Sequence, residues 1–276
     1  MQPKLVSMLP KRLNEAALPT PFVEELLALT TNHTTGSLAS GDCTVVRSPF
    51  VEDALGAVGN GTEADVDEAF RIARSAQKDW AAKPVAERVK AMEQFHKSVV
   101  KRQDLLADLV QLETGKDRTA AFDEVLDVLN NARYYANNAA GFLSTKRRAG
   151  AFPVITSTRE QRFPKGVVGQ ISPWNYPLAL GVSDAIPALL AGNAVVAKPD
   201  SSTPFSAIIA KKLLTNAGLP KDLFQIVTGS GKVVGQAIAQ QCDYLMFTGS
   251  TATGKLLGKV VGERLVGYSA ELGGKN

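Results

Sequence analysis

Apolar positions recur at helical spacing through the first half of the chain and in short β-rich runs through the second. Thr62 and Asp65 have the spacing of a capping box, and Val66, Ala69, Phe70, Ala73 and Trp80 then fall on one helical face. Pro84 stands near the first turn of a second helix with Val85, Val89, Met92 and Val99 on its apolar side, and a further helical stretch ends around Gly115. Phe122, Val125, Leu129 and Ala132 mark one more helix. Tyr134 and Tyr135 follow at a spacing that predicts ordinary packing rather than a stacking platform.

Beyond residue 165 the pattern changes. Runs at 167–171, 194–197, 224–227, 244–247 and 265–269 predict strands, and the stretches 178–190, 205–217, 233–239 and 254–261 between them have helical patterning. Strand, helix and strand in repetition predict an α/β fold with a parallel sheet, in which ligands bind beyond the carboxyl ends of the strands. Between the halves, residues 146–164 carry Pro153, the β-branched Val154, Ile155 and Thr156, and alternating charges. They predict an exposed hairpin whose free edge invites self-association.

Composition adds constraints. The chain has 276 residues, 45% hydrophobic and 21% charged, enough for one large core or two smaller ones. A net charge of +4 without a run of like charges argues against nucleic acid as a partner. The longest apolar region, 176–197, is broken by Pro177, Asp184, Pro187 and Asn193 and suits a buried helix and strand better than a membrane span. The N-terminus lacks the pattern of a secretory signal, and two cysteines with two histidines offer neither a disulfide framework nor metal-ligand spacing, so a reducing cytoplasm is expected. Cys43 and Cys242 both read as structural.

Candidate chemistry lies after the strands. In Ser172-Pro173-Trp174-Asn175-Tyr176-Pro177, two prolines fix the backbone around one amide side chain. Asn175 is either a turn residue or a donor to an oxyanion that develops in a transition state. Lys198-Pro199-Asp200-Ser201-Ser202-Thr203-Pro204 sets a cation at a strand end and hydroxyls before a helix, which suits a ribose or phosphate. The same run predicts a capped helix with Thr203 as N-cap and Pro204 at the first helical position. Gly249 and Ser250 lead through a glycine turn into a helix whose free N–H groups suit a pyrophosphate, although the run is neither Gly-x-Gly-x-x-Gly nor a Walker A loop. Gly229-Ser230-Gly231 is either a plain turn or a second loop beside that ligand. Glu271, ahead of Leu272-Gly273-Gly274, is either an exposed loop acid or a general base whose partial burial would raise its pKa toward neutrality.

Taken in order, Pro173-Trp174-Asn175-Tyr176-Pro177, Ala191-Gly192-Asn193 with Lys198-Pro199 and Thr203-Pro204, Phe247-Thr248-Gly249-Ser250 with Gly254, and Glu271-Leu272-Gly273-Gly274-Lys275 resemble the aldehyde dehydrogenase superfamily from about Val45 onward. In the detail of 166–172 and 243–247 the chain is most similar to its bacterial, actinobacterial succinate-semialdehyde dehydrogenases. The resemblance implies a doubly wound, Rossmann-like cofactor domain. Residues 1–145 would be its helical part, 146–164 an oligomerisation hairpin, 165–270 its dinucleotide-binding part, and 271–276 the start of a catalytic domain. By the same resemblance Asn175 helps form the oxyanion hole and Glu271 activates the hydrolytic water. Ser172, Pro173, Trp174, Lys198, Ser201, Gly231, Gly249, Ser250 and Leu272 would line the cofactor, with Lys198 on the adenosine ribose and the Leu272 backbone near the nicotinamide. The family's nucleophilic cysteine would lie past Asn276, so this chain is expected to be inactive alone and the full-length enzyme to be a dimer or tetramer.

Two departures bear on specificity. Where NAD-preferring members often carry Glu three residues after the ribose lysine, this chain has Ser201, which implies NADP preferred over NAD. Where some members that act on succinate semialdehyde carry an arginine shortly after Pro-Trp-Asn, this chain has Ser183-Asp184, so the aldehyde stays open. Two other readings stand beside this one: a non-catalytic NADP-binding or oligomerising module, and a reductase of acyl phosphates or thioesters, which would have no need of Glu271.

Overall fold

The computed structural model describes residues 42–50, 54–152 and 155–274. The first element had no clear signature in the sequence. Strands β1 (Cys43–Arg47) and β2 (Ala54–Gly59) pair antiparallel and bury Val46 and Val58. They are too short and too weakly alternating to stand out. The ribbon docks on the loop after a later strand: Gly61 N donates to Thr228 O at 2.7 Å, and Thr228 Oγ1 donates to Gly59 O at 2.6 Å.

Four helices follow. α1 (Glu63–Ala82) starts with the expected capping box, in which Thr62 N donates to Asp65 Oδ2 at 2.8 Å and Asp65 N to Thr62 Oγ1 at 3.3 Å. Its buried face is Val66, Ala69, Phe70, Ala73 and Trp80, as the spacing predicts, and the Trp80 indole donates to Leu189 O at 2.8 Å. α2 (Val85–Lys101) begins after Pro84, and α3 (Gln103–Thr114) ends at Gly115, whose left-handed φ of 76° suits glycine. α4 (Arg118–Leu143) is capped by Asp117. Tyr135 packs on the core, whereas Tyr134 is exposed and meets Tyr135 edge-on, with centroids 5.1 Å apart. In the hairpin, β3 (Lys146–Arg148) pairs antiparallel with β4 (Thr158–Glu160). Ile155 at its tip is 85% exposed, and Pro153 and Val154 lie outside the described residues.

The second half is a five-stranded parallel sheet in the order β7-β6-β5-β8-β9, built from β5 (Val167–Ile171), β6 (Ala194–Lys198), β7 (Phe224–Ile226), β8 (Tyr244–Gly249) and β9 (Gly267–Leu272). β5 and β6 are buried along their whole length, which matches their mostly apolar runs, with Gln170 and Lys198 buried among them. The expected β9 started too early. Leu265 is 94% exposed at a φ of 55°, in a turn that precedes the strand, so pairing runs from Gly267 and takes in Glu271 and Leu272.

The helices of this half are α5 (Ala179–Val182), α6 (Ala185–Leu190), α7 (Phe205–Asn216), α8 (Gln236–Gln241) and α9 (Thr251–Glu263). The single helix expected over 178–190 is split in two ahead of Pro187. A π-turn at Gly231–Gly235 leads into α8.

The expected cap of α7 is also corrected. Thr203 Oγ1 is buried without a partner among the described residues, and Pro204 is the N-cap residue. The amides of Phe205 and Ser206 donate instead to the two carboxylate oxygens of Glu113, at 2.6 and 2.9 Å, from the end of α3. α5 is met in the same way by Glu124 of α4, whose Oε2 accepts from Leu178 N at 3.0 Å and Ala179 N at 3.1 Å. A carboxylate suits these positions because it faces the positive end of a helix. Arg74 of α1 completes the join, donating to Asp243 Oδ2 at 2.7 Å and to Gln241 O at 2.8 Å, while Asp243 Oδ2 accepts from Val167 N at 2.8 Å.

Gly169, in the middle of β5, tests how tightly helix meets sheet. A Cβ there would lie 2.6 Å from Ile238 Cγ2, 3.0 Å from Cys242 Cβ and 3.2 Å from Leu245 Cδ1, all on fully buried side chains. Gly169→Ala is expected to lower stability by about 1–3 kcal/mol through overpacking. Urea denaturation checks this, and a midpoint equal to that of the wild type would show that α8 gives way freely.

Candidate functional site

The order β7-β6-β5-β8-β9 places the switch point between β5 and β8. The chain winds outward from β5 through β6 to β7, then returns to the other side of β5. A crevice at the carboxyl ends of those two strands follows from the topology. Ile171, Phe247 and Ala270 form one row across β5, β8 and β9, so Ser172, Thr248 and Glu271 begin the same edge.

After β5, Ser172 is buried and its amide donates to Lys198 O at 3.2 Å. Pro173 is half-buried, Trp174 is 58% exposed, and Asn175 is exposed with no hydrogen bond from its side chain among the described residues. Asn193, from the Ala-Gly-Asn motif, has a different part. Its Oδ1 accepts from Lys165 N at 2.6 Å and Gly166 N at 3.0 Å, and its Nδ2 donates to Ala188 O at 2.9 Å. It ties α6 to the start of β5, away from the edge where the other motifs meet.

After β6, the Lys198 ammonium is buried and donates to Pro199 O at 2.9 Å. Burial holds its pKa below the usual lysine range, against the smaller opposing effect of Asp200. Its stem runs past the π-turn, 3.8 Å from where a Cβ on Gly235 would stand. Ser201 Oγ donates to Gly229 O at 2.9 Å, and this links the loops after β6 and β7. Gly229 has a φ of 138°, and Gly231 faces open space.

After β8, Ser250 is the N-cap of α9 and its Oγ accepts from Thr253 N at 3.2 Å. The amides of Thr251 and Ala252, in the first turn, have no intrahelical acceptor by helix geometry. Gly249 pairs with Leu272 and Thr248 with Glu271. Both Glu271 and Leu272 are exposed, so the partial burial expected of the Glu271 carboxyl is not supplied by the described residues. Asp184, between α5 and α6, is half-buried, and its carboxyl is raised by burial and further by the charges of Glu271 and Asp127. Ser183 Oγ donates to Asp127 Oδ2 at 3.0 Å. The Ser183-Asp184 departure therefore makes this flank acidic.

Asn193 apart, the candidate residues stand at or just after the carboxyl ends of β5, β6, β7, β8 and β9. Neither cysteine belongs to this edge: Cys43 is exposed on β1, and Cys242 is fully buried with its thiol pushed up by burial. Among the described residues no cluster of His, Cys, Asp and Glu could hold a metal, and no helix is long and apolar enough to cross a membrane. Sequence reasoning missed Glu113, Glu124 and Lys116, which shape the edge from the helical half and belong to no local motif.

A dinucleotide fits this edge on its own evidence. Lys198 has three ammonium donors, one of them engaged, and no carboxylate within ion-pair distance among the described residues. Two further donors in a buried position call for hydroxyl or anionic acceptors. The first turn of α9 supplies amides at the carboxyl end of β8, beside the switch point.

Comparison with known proteins agrees. The chain is 55% identical over 231 residues to a Mycolicibacterium smegmatis protein provisionally named succinate-semialdehyde dehydrogenase (NADP(+)), covering 84% of this chain and 45% of that one. It is 47% identical over 259 residues to a similarly named protein of Mycobacterium tuberculosis, covering 94% and 50%. The chain spans about half the length of these curated relatives. Among solved structures, an E. coli NADP dependent enzyme matches with a TM-score of 0.82 at 32% identity, covering 86% of this chain and 49% of that one. A Staphylococcus aureus betaine aldehyde dehydrogenase in complex with NAD+ matches with a TM-score of 0.84 at 27% identity, covering 92% and 53%. The description "Aldehyde dehydrogenase family" matches residues 38–276, and with motif order, sheet topology and relatives in agreement, the chain belongs to the aldehyde dehydrogenase family.

Proposed function

We propose that this chain is the dinucleotide-binding part of a cytoplasmic enzyme that oxidises an aldehyde, succinate semialdehyde foremost, to its carboxylate, with NADP preferred to NAD. The observation that carries the reading is the gathering of Asn175, Lys198, Gly249, Ser250 and Glu271 along one edge at the switch point. The names of the mycobacterial relatives support the substrate and the cofactor. The bound dinucleotide would supply a hydride acceptor.

The chain's own residues have distinct parts in this reading. Lys198 holds the ribose and neutralises a 2′-phosphate, and Ser201 leaves room for that phosphate where a carboxylate would repel it. The first turn of α9, behind Gly249 and Ser250, takes the pyrophosphate. Ser172, Pro173, Trp174, Gly231 and the backbone of Leu272 complete the lining. Asn175, with its amide NH2 unengaged, donates to the oxygen of the aldehyde as negative charge builds there. Glu271 takes the proton of the water that releases the acid. The nucleophile and the group that recognises the substrate carboxylate belong to the rest of the enzyme, because Asp127 and Asp184 make this flank repel a carboxylate. Residues 146–164 form the contact of a homo-oligomer, through the exposed Phe152, Ile155 and Phe163.

Calorimetric titration with NADP and NAD at matched salt tests the reading. The chain is expected to bind NADP more tightly, and Ser201→Glu to weaken NADP at least about tenfold, near 1.4 kcal/mol, while leaving NAD unchanged or improved. A folded chain that binds neither dinucleotide would sink the cofactor assignment.

A further inference from the structure

The segment that carries Asn175 is gripped from the helical half, and this deepens the reading above, on which it rests. Lys116 lies in the short turn between α3 and α4, fixed by Gly115 in the left-handed region and by a bond from Gln111 Nε2 to Lys116 O at 3.3 Å. Its ammonium is 3.5 Å from the centroid of the Tyr176 ring and 2.6 Å from Glu124 Oε1. The other oxygen of Glu124 accepts the amides of Leu178 and Ala179. Glu124 is fully buried in its side chain, and Lys116 is 19% exposed in its own.

One cation and one carboxylate therefore hold the chain on both sides of Pro177. Asn175 adjoins Tyr176 directly. On the other side, Pro173 restricts the backbone, and Ser172 N is bonded to Lys198 O. Tyr176 O accepts from Leu180 N at 2.9 Å. In this segment the Asn175 side chain is left unengaged while its neighbours are fixed, as required of a donor that must be aimed before charge develops.

We infer that Lys116 and Glu124 are positioning residues: through the Tyr176 ring and the start of α5 they hold Asn175 in the orientation that serves the oxyanion. The ring contact is a cation–π interaction between a mostly covered ammonium and a ring on a residue that is 47% exposed, and it needs a cation at 116 and an aromatic face at 176. A hydrophobic contact alone would not distinguish methionine from lysine.

The test uses the whole 276-residue chain with Lys116→Met, Lys116→Arg, Tyr176→Leu and Tyr176→Phe. Amide exchange at Leu178, Ala179 and Leu180, whose amides are bonded to Glu124 Oε2 and to Tyr176 O, is read by NMR, with Leu213 of α7 as the reference for global opening. Acrylamide quenching follows Trp174, since Trp80 is buried and shielded. Lys116→Met and Tyr176→Leu are expected to speed exchange at Leu178, Ala179 and Leu180 severalfold relative to Leu213 and to increase Trp174 quenching. Lys116→Arg and Tyr176→Phe are expected to keep the wild-type values. Unchanged exchange in the first two variants, or failure of arginine and phenylalanine to preserve it, overturns the inference. NADP titration of the wild type separates the two levels. If NADP binds and the variants leave the segment unchanged, the clamp alone is wrong; if no dinucleotide binds, the role of Asn175 and this assignment fall together.

Discussion

Glu113→Ala is expected to destabilise the chain by about 3–5 kcal/mol. Glu113 is 3% exposed, and its two oxygens accept from Phe205 N, Ser206 N and Ser206 Oγ. Alanine strands the opening amides of α7 in a site closed to water, where each unmet donor costs about 1–3 kcal/mol. The effect also has a pH signature. Burial pushes the Glu113 carboxyl up to about 7, against the opposing pull of Ser206 and the two amides. In the unfolded chain the group titrates near its ordinary value of 4.5, so between there and about 7 the folded state binds the proton more tightly. Its contribution is therefore fully present below about 4.5 and is lost as pH rises through about 7, a change on the order of 3 kcal/mol at most. Urea denaturation at pH 5 and pH 8 should show the wild type losing stability relative to Glu113→Gln at the higher pH. Parallel profiles for the two would show that the carboxyl does not titrate in this window.

The second large effect is on chemistry. In the enzyme that contains the nucleophile, Asn175→Ala is expected to lower kcat by about 10²–10³, the cost of one oxyanion donor. Stability should hardly change, because Asn175 is exposed and its side chain carries no hydrogen bond among the described residues. Steady-state kinetics alongside thermal denaturation check both halves of that statement. Unchanged kcat would return Asn175 to the role of a turn residue, whereas parallel loss of kcat and stability would make it structural.

Local signals in the sequence were read correctly where the physics is local. Thr62 and Asp65 are three residues apart and complete each other's hydrogen bonds, so the start of α1 needed no knowledge of the fold. β5 and β6 are mostly apolar, apart from Gln170 and Lys198, because both faces of the sheet are covered there. Thr203 failed as a cap because a better acceptor, Glu113, arrives from 92 positions away. Leu265 looked like the start of β9 because it is apolar, yet it sits in a left-handed turn in the open.

The edge itself was legible because parallel topology sends every strand end to the same side, so Asn175, Lys198, Ser250 and Glu271 could be grouped before any distance was known. What shapes that edge was not legible. Lys116 and Glu124 act across 60 and 54 positions, on Tyr176 and Leu178, and no periodicity marks them. The bond from Ser201 Oγ to Gly229 O joins two loops and could not be foreseen from either.

The clip between Arg74 and Asp243 spans 169 positions. Closing a loop of that size costs roughly 4–5 kcal/mol of chain entropy. On the ribosome, α1 emerges long before β8 exists, so the apolar stripe of Val66, Phe70 and Ala73 waits uncovered until the strands it packs against have been made. The helical half is thus born first and finished last.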